Sequence, residues 1–314
     1  MNGPADGNRA STLAVVILTH NEEIHLPRAL ESVASFASEV FVIDSFSTDR
    51  TVELAHSRGA TVIQHEFINY AKQFQWALEN APISAEWVMR LDADEVVEPG
   101  LAAEISQKLP SLPPDVAGIN LRRKHIFLDR WIRHGSRYPL IMLRIWRRGQ
   151  GRIENRWMDE HMLVWGGRAV TFENDFADHN LKGLTFFTDK HNKYATREAI
   201  DVLNQRLGFL DLDDRLSSSQ SSAQAAARRT MKEGFYNRIP FQLSALLYFV
   251  YRYIFKLGFL DGAEGLIYHA LQGFWYRFLV GAKTFELERS IAHLRDKKEI
   301  RSELSRLTGL KLEP

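Results

Sequence analysis

Three carboxylates stand within four positions at Asp92, Ala93, Asp94 and Glu95, directly after the apolar run WVMRL. Mutually repelling charges at the mouth of a buried strand are costly to desolvate, and a divalent cation is the usual compensation. Mg2+ and Mn2+ prefer carboxylate oxygens and complete their shell with water and substrate phosphates, so Asp-x-Asp at a strand end reads as a diphosphate site. The competing reading is a helix cap, with Asp94 or Glu95 favouring the dipole of the helix that follows. Two earlier clusters share this double character. In THNEE, Thr19 and Asn21 either line a base pocket or cap the first helix. In DSFSTDR, Asp44 can accept from a nucleobase N–H or a ribose hydroxyl, while Ser47, Thr48 and Asp49 also spell a helix cap.

Later segments add candidates. Lys72 in YAKQFQW opens a helix whose end should face a ligand, so it either touches phosphate or is simply exposed. Asp159 and Glu160 in WMDEHMLV are either a functional acid pair or surface charges answering Arg152 or Arg156. Lys190, Lys193 and Arg197 recur at helical spacing as a basic stripe that either meets a diphosphate or is a solvated face.

The elements that must position these residues follow from hydrophobic periodicity. LAVVIL (13–18) precedes a helix around 24–35, VFVID (40–44) one around 50–58, ATVIQ (60–64) one around 70–79, and WVMRL (87–91) one around 99–108. Apolar strands alternating with amphipathic helices mark an α/β fold with a parallel sheet covered on both faces, where ligands bind beyond the carboxyl ends of the strands. THNEE, DSFSTDR and DADE all fall at those ends and can converge on one ligand. After Pro113, GINLRRKHIF and LIMLRIWRR read as strands with basic interruptions, followed by RWMDEHML and a helix across 185–205. GFLDLDDRLSSSQSSA reads as a linker. The expected organisation is a loose tail over 1–11, an α/β domain over 12–207 with halves at 12–112 and 113–207, a linker over 208–224, and a helical, aromatic-rich region over 225–314.

Composition narrows the chemistry. The chain of 314 residues is 45% hydrophobic and 25% charged, ample for a sizeable core, and its net charge of +1 argues against a protein made for a nucleic-acid backbone. With no cysteine, any metal must be held by oxygen or histidine. MNGPADGNRAS lacks the apolar segment of a secretory signal, so the protein is expected in the cytoplasm. From 239 to 283 the chain is apolar and aromatic, but charges interrupt it before the roughly 18–20 residues of a spanning helix are reached. Tyr248, Arg252 and Lys256 recur at i, i+4 and i+8, which places cations on one stripe of an otherwise Leu/Phe/Tyr helix. Such a helix lies in a membrane interface with its cations toward anionic headgroups; the alternatives are a core helix or a contact in a homo-oligomer.

Taken together, Thr19-His20-Asn21-Glu22, Asp44-Ser45-Phe46-Ser47-Thr48-Asp49 and Asp92-Ala93-Asp94-Glu95, in this order and at these strand ends, resemble the family 2 glycosyltransferases of the GT-A fold. The resemblance implies a nucleotide-sugar donor, probed by Thr19, Asn21 and Asp44 at base and ribose, by Asp92 near ribose and sugar, and by Glu22, Ser47 and Ala93 in the same loops. It implies a Mn2+ or Mg2+ cofactor on Asp94, with Asp92 and His179 assisting and His161 as the competing histidine. It also implies that WMDEHM holds the base of an inverting transfer, Glu160 first and Asp159 as the fallback, and that Lys190 and Lys193 face the diphosphate. WMDEHM, KHNKYATREA and YRYIFKLGFLDGAEGLIYHAL resemble the branch that builds bacterial lipopolysaccharide core and exopolysaccharide. That branch implies a lipid-linked saccharide acceptor and a peripheral, monotopic place at the cytoplasmic face of the inner membrane. Two rivals stand beside this reading: a catalytically silent nucleotide- or lipid-binding protein on the same scaffold, and a sugar-nucleotide pyrophosphorylase, whose Gly-rich basic loop is replaced here by LTHNEE.

Overall fold

The structure, a computed structural model, describes residues 12–154, 161–210 and 240–312. Strand β1 (Leu13–Thr19), helix α1 (Leu26–Val33), β2 (Glu39–Asp44), α2 (Thr51–His56), β3 (Thr61–Gln64), α3 (Tyr70–Asn80) and β4 (Trp87–Asp92) follow one another as the periodicity predicts. The four strands lie parallel in the order β3-β2-β1-β4, with Thr19 level with Asp44 and Leu18 level with Asp92. Burial on both faces explains why β1 is a continuous apolar run. Val15, Ile17 and Leu91 pack with Leu26 and Leu30 on one side, while Val16, Phe41 and Ile43 pack with Phe74 and Ala77 on the other.

The second half continues with β5 (Glu95–Val97), α4 (Pro99–Lys108), β6 (Val116–Phe127), β7 (Arg130–Trp131), β8 (Leu140–Arg147), β9 (Gly151–Ile153), β10 (Met162–Val164), β11 (Arg168–His179) and α5 (Leu184–Leu207). The sheet reads β3-β2-β1-β4-β8-β6-β11-β5, with β7 paired to β6. β8 runs antiparallel to β4 and β6, and β11 runs parallel to β6. Neither β5 nor β11 was expected from the sequence. β5 pairs antiparallel to β11 with Asp178 opposite Glu95, which returns the end of β11 to the acid cluster.

Beyond residue 239, α6 (Phe241–Val250) runs into a π-helical turn at Tyr251–Phe255. Then come α7 (Gly262–Tyr268), a π-helical stretch at His269–Trp275, α8 (Tyr276–Ile291) and α9 (Lys297–Thr308). The expected linker begins inside a core: Phe209 is buried with Leu203, Leu287, Ile291 and Leu304, and its carbonyl accepts from Arg301 Nη2 at 2.8 Å. The rest of that stretch, 211–224, lies outside the described residues. The C-terminal helices share this cluster with α5.

The cationic stripe expected on α6 is also corrected. Arg252 is 2% exposed; its Nε donates to the Gly135 carbonyl at 3.0 Å, its Nη1 donates to Gln272, and its guanidinium lies over the rings of Tyr248 and Tyr268. The π-helical turn shifts the register of side chains by one residue relative to an α-helix, so the spacing that puts Arg252 and Lys256 on one exposed stripe does not hold. Lys256 is exposed and its carbonyl accepts from Gly135 N at 2.8 Å. Gly135 has φ +67°, and a Cβ there would meet the His269 ring, so this anchor requires glycine.

Candidate active site

The loops after β1 and β2 are joined residue by residue. Asn21 N donates to Ser47 Oγ at 2.9 Å, Thr48 N to Asn21 Oδ1 at 2.8 Å, Glu22 N to Thr51 Oγ1 at 2.8 Å and Glu23 N to Asp49 Oδ2 at 3.1 Å. Asn21 has φ 55°, a left-handed conformation that asparagine tolerates better than most residues. Asp44 is fully buried beneath these loops. It accepts from Thr19 Oγ1 at 3.0 Å, Ser47 N at 2.9 Å, Gln64 Nε2 at 3.2 Å and Ser47 Oγ. A carboxylate offers about four lone-pair sites, so Asp44 and Ser47 are occupied in fixing the loops. The capping reading of DSFSTDR is therefore realised between loops as well as within one.

At the end of β4 the three acids separate into different environments. Asp92 Oδ1 accepts from Tyr70 Oη at 2.5 Å, and its carboxylate lies 3.5 Å from Arg90 Nε and 3.5 Å from Arg144 Nη2. Burial opposes ionisation, yet Arg90, Arg144 and the Tyr70 hydroxyl hold Asp92 well below the usual carboxylate range. Glu95 is buried, accepts from Arg144 Nη2 at 2.5 Å and from Asp92 N at 2.9 Å, and is pushed up to about 8 by burial against the pull of Arg144. Ala93 is buried between them. Asp94 turns toward the end of β11 and α5: its Oδ2 accepts from Asn180 Nδ2 at 2.9 Å and lies 3.8 Å from Lys190 Nζ. Lys190 is raised above the usual lysine range, against burial, by Tyr194, Asp94 and Asp178.

The end of β11 closes the site. His179 N donates to the Asp94 carbonyl at 2.9 Å, and its carbonyl accepts from Arg28 Nη2 at 2.8 Å. The His179 ring has Arg28 Nη1 at 3.3 Å on Nδ1 and Asp129 Oδ1 at 3.0 Å on Nε2. Lys182 Nζ reaches back to the Asn21 carbonyl at 3.1 Å and Glu22 Oε1 at 3.3 Å, so Glu22 ties β11's loop to β1's.

Among the described residues no three His, Asp or Glu side chains converge as a metal-ligand set. Asp94, Asp92 and His179 are thus brought to one edge without forming the three-ligand site expected. Asp92 is engaged by Tyr70 and two arginines, and both His179 ring nitrogens have protein partners. The donor chemistry fits a cation held by one carboxylate, Asp94, and otherwise by substrate phosphates and water, a common arrangement for Mg2+. Lys72 and Lys193 are exposed and are not drawn into this cluster. Asp159 and Glu160 lie outside the described residues. The segment that carries them leaves and re-enters at Glu154 and His161, where Glu154 N donates to the His161 carbonyl at 2.9 Å, and its neighbour Ile153 N donates to Gln75 Oε1 on α3 at 3.2 Å.

Sequence reasoning missed Tyr70, Arg90, Arg144, Arg28 and Lys182. The basic interruption of β8 was the available signal for Arg144 and the arginine inside the apolar run WVMRL that for Arg90; Arg28 on α1 reads as a solvated helix position, and Tyr70 left no signal, because an aromatic opening a helix reads as core.

The model of Glycosyl transferase family 2 matches residues 14–182. The chain belongs to this family. The match runs from β1 to just past β11 and so takes in every strand end described above. An uncharacterized glycosyltransferase of Rickettsia bellii is 38% identical over 93 residues, 30% of this chain and 31% of that protein. A low-salt glycan biosynthesis hexosyltransferase of Haloferax volcanii is 36% identical over 96 residues, 29% of this chain and 22% of that protein. The matched stretch therefore spans about a third or less of these relatives. Among solved structures, glucosyl-3-phosphoglycerate synthase of Mycobacterium tuberculosis, in complex with Mn2+, UDP and glucosyl-3-phosphoglycerate, aligns at 21% identity and TM-score 0.31 over 37% of this chain and 44% of that one.

Proposed function

We propose that this protein is a metal-dependent, inverting glycosyltransferase. It moves a hexose from a nucleotide-diphosphate sugar, a UDP-sugar by preference, to a lipid-linked saccharide of the lipopolysaccharide-core or exopolysaccharide type. The observation that carries the reading is Asp94: a carboxylate at the end of β4, beside Lys190 Nζ at 3.8 Å and on the same sheet edge as the joined β1 and β2 loops, in a chain of this family. The β1 and β2 loops, with Thr19, Asn21, Ser47 and Asp44, form the wall for base and ribose. Asp92, fixed by Tyr70, lies between that wall and the sugar.

Transfer requires that negative charge leaving on the nucleoside diphosphate be offset while the acceptor hydroxyl loses its proton. Lys190 supplies a fixed cation for the diphosphate. A divalent cation held by Asp94 supplies further charge compensation when bound. Glu160 or Asp159 takes the proton from the acceptor hydroxyl as it attacks the anomeric carbon, and the new bond forms on the face opposite the leaving group.

We further propose a peripheral place at the cytoplasmic face of a bacterial inner membrane. Among the described residues no single helix is long and apolar enough to cross a membrane, but Phe241–Phe255 and Gly258–Ile291, bent by 72°, pass together by length and composition. Between them Ile254, Phe255, Leu257, Phe259 and Leu260 are all exposed, Phe255 at 72%. Burial of such an elbow in the interface is favourable by about 25 cal/mol per Å² of apolar surface.

The deciding experiment incubates purified protein with a panel of nucleotide sugars and Mn2+ or Mg2+ and reads nucleotide release. Asp94→Ala should abolish release while leaving the melting temperature nearly unchanged. Full activity in excess EDTA, or no release from any donor, refutes the enzyme reading as stated.

A further inference from the structure

The order β2-β1-β4-β8-β6 sets the carboxyl end of β6 beyond β4 from the nucleotide wall. There Arg123 and His125, two residues apart and so on one face of the strand, both meet Asp178: Arg123 Nη1 at 3.5 Å and His125 Nδ1 at 3.1 Å. The His125 ring lies 4.9 Å from the ring of Tyr268, and Arg137 places its guanidinium 5.3 Å from the centre of that same ring. Among the described residues Arg137 has no carboxylate partner. Its Nε, the Nε of Arg123 and the Nε2 of His125 are buried without hydrogen-bond partners.

The charge balance of this corner is one-sided. Arg123, Arg137, Lys190 and the buried Arg252 surround it; Asp178 is the acid between them, with Glu95 3.8 Å from Arg123 and Asp94 3.8 Å from Lys190 on the side toward β4, and neither reaches Arg137. Burial, with Arg137 and Arg123 acting the same way despite Asp178, keeps His125 below the usual histidine range. His191 is lowered by burial and then by Lys190, His125 and Arg137, and His269 is pushed down to about 3 by burial, Arg252 and Arg137. Arg137 without a carboxylate among the described residues, and the buried Nε atoms of Arg137 and Arg123 without acceptors, leave this corner with donors to spare, and unpaired buried donors are costly unless a ligand supplies the acceptors.

We propose that Arg137, Arg123 and His125 form a phosphate-binding subsite on the acceptor side of the site, which receives a phosphate group carried by the acceptor. The assignment rests on the glycosyltransferase reading for the word acceptor, but not for the site itself. A phosphate suits it because its oxygens can take both guanidinium groups and, with His125 Nδ1 already held by Asp178, a proton added at His125 Nε2. The subsite stands opposite Asp44 across β4, so it is separate from the place proposed for the donor base.

The test uses the full chain with the donor side saturated by UDP and Mg2+, and measures inorganic phosphate binding by calorimetry. Phosphate is expected to bind in the presence of UDP, and Arg137→Gln to raise its Kd by tenfold or more, the scale of one lost charge-assisted hydrogen bond. Arg137→Lys, which keeps the charge, should raise it by less. If Arg137→Gln proves poorly folded by its melting curve, Arg123→Lys and Arg137→Lys must each weaken binding. Competition between UDP and phosphate, or phosphate affinity indifferent to Arg137 and Arg123, overturns the subsite. Displacement of phosphate by a soluble sugar phosphate assigns the group to the saccharide, and displacement only by phosphatidic acid vesicles assigns it to the lipid. Displacement by neither overturns the acceptor role. Phosphate binding that follows Arg137 in a protein with no turnover of any donor would leave the subsite standing and refute the enzyme reading alone.

Discussion

The phenolic oxygen of Tyr70 lies 2.5 Å from Oδ1 of Asp92, and Arg90 stacks 4.2 Å over the same ring. The first acid of the cluster is therefore positioned by helix α3 as well as by its own strand. Tyr70→Phe removes the hydroxyl and leaves Asp92 facing Arg90 and Arg144 alone. The expected cost is about 1–3 kcal/mol of stability, the scale of one buried hydrogen bond to a charged group, together with weaker donor binding as Asp92 swings toward the arginines. Unchanged melting and donor Kd would show that Tyr70 is only packing.

Asp44→Asn tests whether this carboxylate acts mainly as a clasp. The amide presents N–H groups where Ser47 N and Gln64 Nε2 already donate, so roughly 1–3 kcal/mol of stability should be lost. The loss should be visible in thermal melts without any nucleotide. If the variant melts like the parent and only nucleotide affinity falls, Asp44 serves the ligand instead.

Glu95 makes stability depend on pH in a defined window. Its folded pKa, about 8, lies above the ordinary value of 4.5, so the folded state binds more protons than the unfolded state between those limits. The stabilisation is complete below about pH 4.5 and is lost as pH rises through about 8. Glu95→Gln should remove this slope, matching or falling below the parent at pH 5 and gaining on it steadily toward pH 9. Parallel melting curves for the two proteins across that range would refute the assignment.

Glu160→Gln keeps shape and removes basicity. Transfer should fall by about 10²-fold or more while nucleotide affinity changes little. If Asp159→Asn has that effect and Glu160→Gln does not, the roles are exchanged; if neither does, the acid pair is structural.

Replacing Phe255 and Leu260 with serine should lower sedimentation with anionic vesicles, because both side chains are exposed at the elbow and insertion of apolar surface is their contribution. Reversing Arg252 is unsuitable for the same purpose. It is buried and hydrogen-bonded to Gly135, so Arg252→Glu should unfold the region. Vesicle binding by the Phe255/Leu260 variant equal to the parent's would remove the elbow from any membrane role.

Much of the architecture is legible in the sequence because it rests on local rules. The apolar runs at β1, β2 and β4 and the helices between them follow from periodicity, and the polar clusters must then fall at one edge of a parallel sheet. That THNEE, DSFSTDR and DADE share an edge is a consequence of strand direction alone, and the family resemblance rests on those residues. What chain order cannot encode is which charges meet across it. Asp92 and Glu95 are three residues apart, yet one is a stabilised anion and the other is pushed up to about 8, because Tyr70 from α3 and Arg144 from β8, together with Arg90 of β4 itself, reach the two acids unequally. The family resemblance implies His179 as an assisting metal ligand, and only the fold shows that the end of β11 sets its ring beside Arg28 and Asp129. Arg252 read as an exposed cation from its i, i+4 spacing, and a π-helical turn with the Gly135 loop buried it. Periodicity reports which face a residue occupies, whereas the sign and strength of its electrostatic surroundings depend on distances between segments far apart in the chain, and only the packed sheet and helices set those.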